Sequence, residues 1–193
     1  MKRPPFDTKK MILLALLTAI VVVLQILAML FPVYPFRLAL VLVPIVIGAA
    51  MCGPLAGMWL GIVFGFVVLF TSPDVPFFMS FNAIATVAVI ISRGALSGLF
   101  TGLVYKLIEK KGKTIAVIVA ALTCPILNTG IFLLGLHLFF RDVIGDVIAF
   151  FYAFVALNLL IELAINIVLS PTIIRLIEYN ASASHSHDKK EAA

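Results

Sequence analysis

Residues Met11–Phe31 read MILLALLTAIVVVLQILAMLF. No charge interrupts this run. At about 1.5 Å of rise per residue, a helix of this length reaches about 30 Å, the hydrocarbon thickness of a bilayer. The run is too long for the apolar segment of a secretory leader, and no small-residue cleavage site closes it. It predicts a first membrane span. The rest of the chain has the same character: of 193 residues, 63% are hydrophobic and 12% are charged, and the mean hydropathy is +1.22. A soluble domain is about 45–50% apolar and about 25% charged. A water-soluble globule, a disordered chain and a secreted disulfide scaffold are therefore excluded, and lipid is the solvent for most of this protein.

Outward from the first run, apolar stretches recur. Pro32, Tyr34, Pro35 and Phe36 form a turn, followed by Leu38–Met51, which carries Pro44. Cys52-Gly53-Pro54 separates this from Leu55–Phe70. Both stretches are short for spans and need tilt, local thinning or a protein neighbour. Thr71–Pro76 is a loop. Phe77–Ile91 contains Ser80 and Asn82 and is expected to be a loop or short helix, with Ser92-Arg93-Gly94 interrupting it. A fourth span of about Ile90–Ile108, a fifth over Thr114–Phe140 and a sixth over Val147–Ile177 complete the set. The expected fold is an all-α integral membrane protein, a bundle of six transmembrane helices. It divides into an N-terminal segment 1–9, a membrane domain 10–178 and a disordered tail 179–193. His185 and His187 in the tail read as solvated residues rather than metal ligands. Cys52 and Cys124 lie in apolar stretches without metal spacing and read as packed thiols.

Lys and Arg set the orientation. With the N-terminus in the cytoplasm, eleven of the fourteen basic residues fall on the cytoplasmic side, and only Arg37, Arg93 and Arg141 fall outside. Both termini are thus expected in the cytoplasm of a multi-pass cell-membrane protein. The formal charge of +5 marks orientation and contact with anionic headgroups, not nucleic acid.

Polar groups sunk in a membrane are costly unless satisfied, so they locate candidate chemistry. Arg93 begins the fourth span, and its guanidinium either holds a carboxylate or phosphate, reaches headgroups, or pairs with Glu162. Asn158, Glu162 and Asn166 share one face of the sixth helix at four-residue spacing; they line a cavity or join helices. Asn128 and Thr129 follow Pro125, which frees a carbonyl, and Gly130 comes next; a kink there would open room for a ligand. Ala15 and Ala19 on the first span, and Gly57, Gly61 and Gly65 on the third, are small-residue strips that permit close helix approach. Enzyme signatures are missing: there is no HExxH, no Walker lysine loop and no paired carboxylates. Ser97, in Gly94-Ala95-Leu96-Ser97-Gly98, is one residue out of register for a Gly-x-Ser-Gly nucleophile and reads as a small packing residue. No catalytic residue, cofactor or metal site is expected.

The combination has a likeness. Val43–Ala49, Gly53-Pro54-Leu55-Ala56-Gly57, Gly61–Gly65, Ser92–Leu99, Leu127-Asn128-Thr129 and the Asn158…Glu162 pair resemble the membrane-embedded S components of energy-coupling factor (ECF) vitamin transporters. Ser92–Leu99 is similar to a Pro-Arg-x-Leu-x-Gly-Leu segment, with Ser in place of Pro. The likeness spans Lys10 to Ile177 and is nearest the pantothenate-type subgroup. It implies a prokaryotic importer component that captures a vitamin and docks on a transmembrane coupling subunit with two ATPases. It further implies that Ala15 and Ala19 face that subunit and that the protein topples to deliver its ligand. Arg93 would take a carboxylate, Asn128 and Asn158 amides or hydroxyls, and Glu162 a hydroxyl or Arg93 itself. Thr71–Phe81 would be a lid. A riboflavin-type ligand would instead use Phe77, Phe78, Phe81 and Tyr152. A stand-alone transporter and an assembly protein are the alternative classes.

Overall fold

The computed structural model describes the backbone over residues 8–30, 39–141 and 148–191, without the side chains of 39, 148–151, 154 and 178–191. The expected turn of Pro32–Phe36, Arg37, most of the Arg141–Asp146 loop, and the side chains of His185 and His187 lie outside the described residues. The helices are α1 (Thr8–Leu30), α2 (Leu42–Cys52, entered through a 3₁₀ turn at Ala39–Val41), α3 (Pro54–Thr71), α4 (Val75–Ile108), α5 (Lys113–Phe139) and α6 (Ile148–Glu191). No strand occurs among the described residues. Five helices are long and apolar enough to cross a membrane, and α2 is shorter.

The helices alternate in direction. Cys52 Sγ lies 3.8 Å from the Lys10 carbonyl, which places the end of α2 beside the start of α1. Gln25 Nε2 donates to Thr71 Oγ1 at 3.0 Å and ties α1 to α3 at the opposite end. Gly53 lies at the first of these ends and Asp74 at the second. The short α2 contacts all five other helices, and Ile45 and Val46 on it are fully buried. Protein rather than lipid surrounds it, which is how an eleven-residue helix is accommodated in the bundle. At its end Gly53 takes φ +100°, a left-handed conformation that only glycine adopts without strain. Pro54 then starts α3 at a position where its missing N–H costs nothing.

The glycine ladder of α3 meets a second ladder on α4. Gly57 lies against the Gly98 carbonyl, Gly61 against that of Gly94, and Gly65 against that of Ile90, in antiparallel register. Gly102 continues the seam against Pro54. Backbones approach closely here because no Cβ intervenes, and dispersion between the two chains replaces the hydrophobic drive that lipid does not provide.

The expectation for residues 77–108 needs correction. No interruption occurs at Ser92-Arg93-Gly94. The break is at Asn82 (φ −152°, ψ 93°), which divides α4 into Val75–Phe81 and a continuous helix through Ile108. Asn82 Oδ1 accepts from Ala85 N at 3.0 Å, capping the second piece. Asparagine side chains compete for backbone hydrogen bonds in this way and favour helix starts. The Ser92 hydroxyl is satisfied within the helix by the Val89 carbonyl, and Gly94 is required by the seam. At the far end, α6 continues through Asn180 to Glu191, where a disordered tail is expected; after Pro171 no proline or glycine stops it.

Large apolar side chains cover the outside, among them Leu16, Trp59, Phe66, Phe70, Ile84, Leu107 and Val168, while Ser97, Thr101, Asn128, Thr129, Glu162, Asn166 and Ser170 are buried. This arrangement suits a lipid solvent.

A Cβ at Gly61 would overlap the Gly94 carbonyl, and backbone cannot rotate aside. Gly61→Leu is expected to cost about 1–3 kcal/mol or more from overpacking, read as earlier thermal unfolding in detergent. Gly130→Ala, whose Cβ would meet nothing within 4 Å, is the control and should unfold no earlier than the parent.

Candidate functional site

Three helices turn polar faces toward one another. On α4, Arg93, Ser97 and Thr101 recur at four-residue spacing. Ser97 and Thr101 are fully buried, and each hydroxyl donates within its own helix: Ser97 to the Gly94 carbonyl at 2.9 Å, Thr101 to that of Ser97 at 2.6 Å. On α5, Cys124, Asn128 and Thr129 are buried. On α6, Asn158, Glu162, Asn166 and Ser170 form a ladder, and the last three are buried.

Glu162 is the hub. Its Oε1 accepts from Asn158 Nδ2 at 2.9 Å. Its backbone carbonyl accepts from Asn166 Nδ2 at 2.8 Å. The Thr129 hydroxyl lies alongside the carboxylate, and the Arg93 charge acts on it across the α4–α6 gap. The structure thus gathers Arg93, Asn158 and Glu162, with Thr129, into one polar centre. Asn128 is the neighbour of Thr129 on α5, and its Oδ1 is buried with no hydrogen-bond partner. Glu162 Oε2 and Asn166 Oδ1 are in the same state. The centre sits near mid-depth: Arg93 is roughly 16 Å along the helix from Asn82, and Asn128 roughly the same from Phe139, at 1.5 Å per residue.

Toward the Asp74 end the centre opens into a cleft. Asp74, Phe78, Thr86, Val89, Ile90, Arg93, Phe132, Leu136 and Phe140 line it, and its closed part is narrow, with room for about one water. Arg93 is the residue shared by cleft and centre. Its guanidinium carbon stands 4.7 Å from the centroid of the Phe132 ring, a cation–π contact that holds the side chain in the bundle. Phe78 meets Phe140 edge-on at 5.0 Å and Phe132 at 6.5 Å. Its segment, Val75–Phe81, covers this flank of the cleft.

Other sequence candidates sit elsewhere. Ala15 and Ala19 are exposed on α1, which packs mainly on α2 and α3. Gly130 faces open space, and α5 runs through Pro125 without a break, so the cleft lies in the α4–α5 gap rather than at the expected kink in α5. His137 Nδ1 and the Tyr152 hydroxyl are 3.1 Å apart at the Asp74 end. Phe77 and Phe81 are half exposed, and only Phe78 of that trio reaches the cleft. Asp74, Thr86, Phe132 and Phe140 were not singled out in the sequence. The signal was the repeat Phe132–Leu136–Phe140 on the helix face that continues from Asn128.

Neither the curated proteins nor the solved structures provide a match to the chain. A family model described as ECF transporter, substrate-specific component, matches residues 9–174. That span takes in α1 through most of α6, including Arg93, Asn128, Asn158 and Glu162. The family is one of substrate-binding transporter components that associate with an ECF coupling module in the membrane, not a family of enzymes. A polar centre enclosed by apolar helices and opening at one end suits that role, and the chain belongs to the ECF transporter substrate-specific component family.

Proposed function

We propose that this protein captures an anionic, water-soluble vitamin or related micronutrient, with pantothenate the best candidate, for an ATP-driven importer. The cleft at the Asp74 end is the entrance and faces outward, as the distribution of Lys and Arg indicates. The observation that carries the reading is Arg93. A permanently charged group lines the cleft and connects it to a buried centre of amide and carboxylate oxygens. A carboxylate entering the cleft meets Arg93, and its charge-assisted hydrogen bonds gain strength in surroundings of low dielectric. The hydroxyls and amide of pantothenate then suit the acceptors on Asn128 and Glu162. Asn158 acts through Glu162, since its amide nitrogen is committed to Oε1.

The aromatic lining offers a second reading, a flat ring such as that of riboflavin. Phe78, Phe132 and Phe140 favour it. They pack edge-on against each other at 70–90°, filling space among themselves rather than forming two parallel walls. The anionic nutrient accords better with this lining.

Energy comes from the coupling module, a transmembrane subunit with two ATPases. Ala15 and Ala19, exposed within an apolar strip that includes Met11, Ile12 and Leu16, are the proposed contact. Small residues there let a partner helix approach closely.

Native mass spectrometry of the purified protein is expected to show a co-purified small acid. Arg93→Ala should weaken pantothenate by about 1.5–3 kcal/mol, about ten- to a hundredfold in Kd by titration calorimetry; unchanged affinity would remove Arg93 from the site. Ala15→Trp should abolish uptake in cells while the purified variant still binds. Uptake by the chain without any ATPase would favour a stand-alone transporter instead.

A further inference from the structure

Two glycines stand inside α5, Gly130 and Gly135. Neither is needed for conformation: the backbone there is helical, and the positive-φ glycines among the described residues are Gly53 and Gly112. Glycine is disfavoured relative to alanine inside a helix, and space gives a reason for it only at Gly135. A Cβ at Gly130 would meet nothing within 4 Å. A Cβ at Gly135 would stand 2.5 Å and 2.6 Å from the two methyl carbons of Val89 and 3.1 Å from its Cβ. Turning Val89 does not clear the overlap, because a β-branched side chain in a helix is held to one preferred rotamer. Val89 therefore rests directly on the backbone of α5.

This contact is one rung of an antiparallel register between α4 and α5. Arg93 follows Val89 by four residues, about 6 Å deeper on the same face of α4, and Phe132 precedes Gly135 by three, about 4.5 Å deeper on α5. The next rung is accordingly Arg93 on Phe132, with 4.7 Å from guanidinium carbon to ring centroid. Deeper still, the Cys124 thiol lies alongside the Thr101 and Ser97 hydroxyls. Toward the Asp74 end, Ala85 and Leu136 share one buried cluster. Val89, Arg93, Phe132 and Leu136 all line the cleft. Its closed part has room for about one water, so a shift by the width of a methyl group is large against it.

We infer that the seating of Val89 on Gly135 sets the distance between α4 and α5 at the cleft, and that Gly135 is thereby a positioning residue, holding Arg93 where the nutrient's carboxylate is recognised. A methyl group at Gly135 moves the helices apart at this rung, and Arg93 and Phe132, one rung away, separate with them. The charge stays in the cleft but loses its orientation. Charge-assisted hydrogen bonds depend steeply on distance and angle, so an anionic ligand loses more than a neutral one of nearly the same shape. The inference rests on the anionic-nutrient reading, and the experiment separates the two.

Pantothenate and pantothenol, the neutral alcohol with a hydroxymethyl group in place of the carboxylate, are titrated by calorimetry into the full-length protein in detergent. Thermal unfolding is followed for each variant. The parent is expected to prefer the acid by about tenfold or more. Gly135→Ala is expected to lower that preference by about fivefold or more, and Gly130→Ala to leave it unchanged. Val89→Ala, which removes the stop on α4, lowers it too. Gly135→Ala combined with Val89→Ala puts one methyl group back into the gap and restores at least half of the preference, since residues in contact couple in this way. Should Gly135→Ala fail to fold, Val89→Ala against the double variant decides. A double variant no better than Val89→Ala overturns the inference. So does an equal loss for acid and alcohol in Gly135→Ala, which marks packing alone, and so does an unchanged preference in that variant. A parent that prefers the acid alongside any of these leaves the nutrient reading standing. A parent that binds neither compound, or both alike, overturns the nutrient reading and the inference with it.

Discussion

The glycine seam between α3 and α4 is the constraint on which the rest of the bundle depends. Where the Gly61 backbone lies against the Gly94 carbonyl, α4 cannot slide or turn without a clash. Successive helical residues point about 100° apart, so fixing Gly94 against α3 swings Arg93, its predecessor, away from the seam and toward α5. The stacking of Arg93 on Phe132 follows from that rotation. A contact made only of backbone thus determines where Arg93 stands in the cleft.

Two solvents act on the same helices. Leu107, Ile126 and Val168 face lipid at no cost, while Asn166 and Thr101 are fully enclosed. In lipid, apolar side chains gain little by burial, so the interior is free to be polar, provided each group finds a partner. Hydroxyls meet this condition by bonding back to their own helices. Amide and carboxylate oxygens of Asn128, Glu162 and Asn166 do not. Among the described residues, the unmet demand is concentrated where three helices converge.

Much of this was legible in the residues. Runs of twenty uncharged residues announce spans, and Asn158, Glu162 and Asn166 at four-residue steps announce one helical face. The pairing of Gly57, Gly61 and Gly65 with Gly98, Gly94 and Ile90 is half legible: the α3 strip is visible alone, but register is a property of two helices. The break at Asn82 is not legible because its side chain both interrupts one helix and starts the next, and periodicity sees only the surrounding apolar residues. The direction of the Asn158 amide, toward Glu162 rather than into the cleft, depends on rotamers that spacing does not encode. The cleft lining of Phe132 and Phe140 was masked by the ordinary look of aromatic residues in lipid.

The cut in α4 at Asn82 has a mechanical meaning. The helix below it starts afresh, with the Ala85 amide held by the Asn82 side chain. The ring-on-ring contacts of Phe78 with Phe140 and Phe132 hold Val75–Phe81 against the cleft, so this short piece is fastened by dispersion between side chains while the long helix carries its own start.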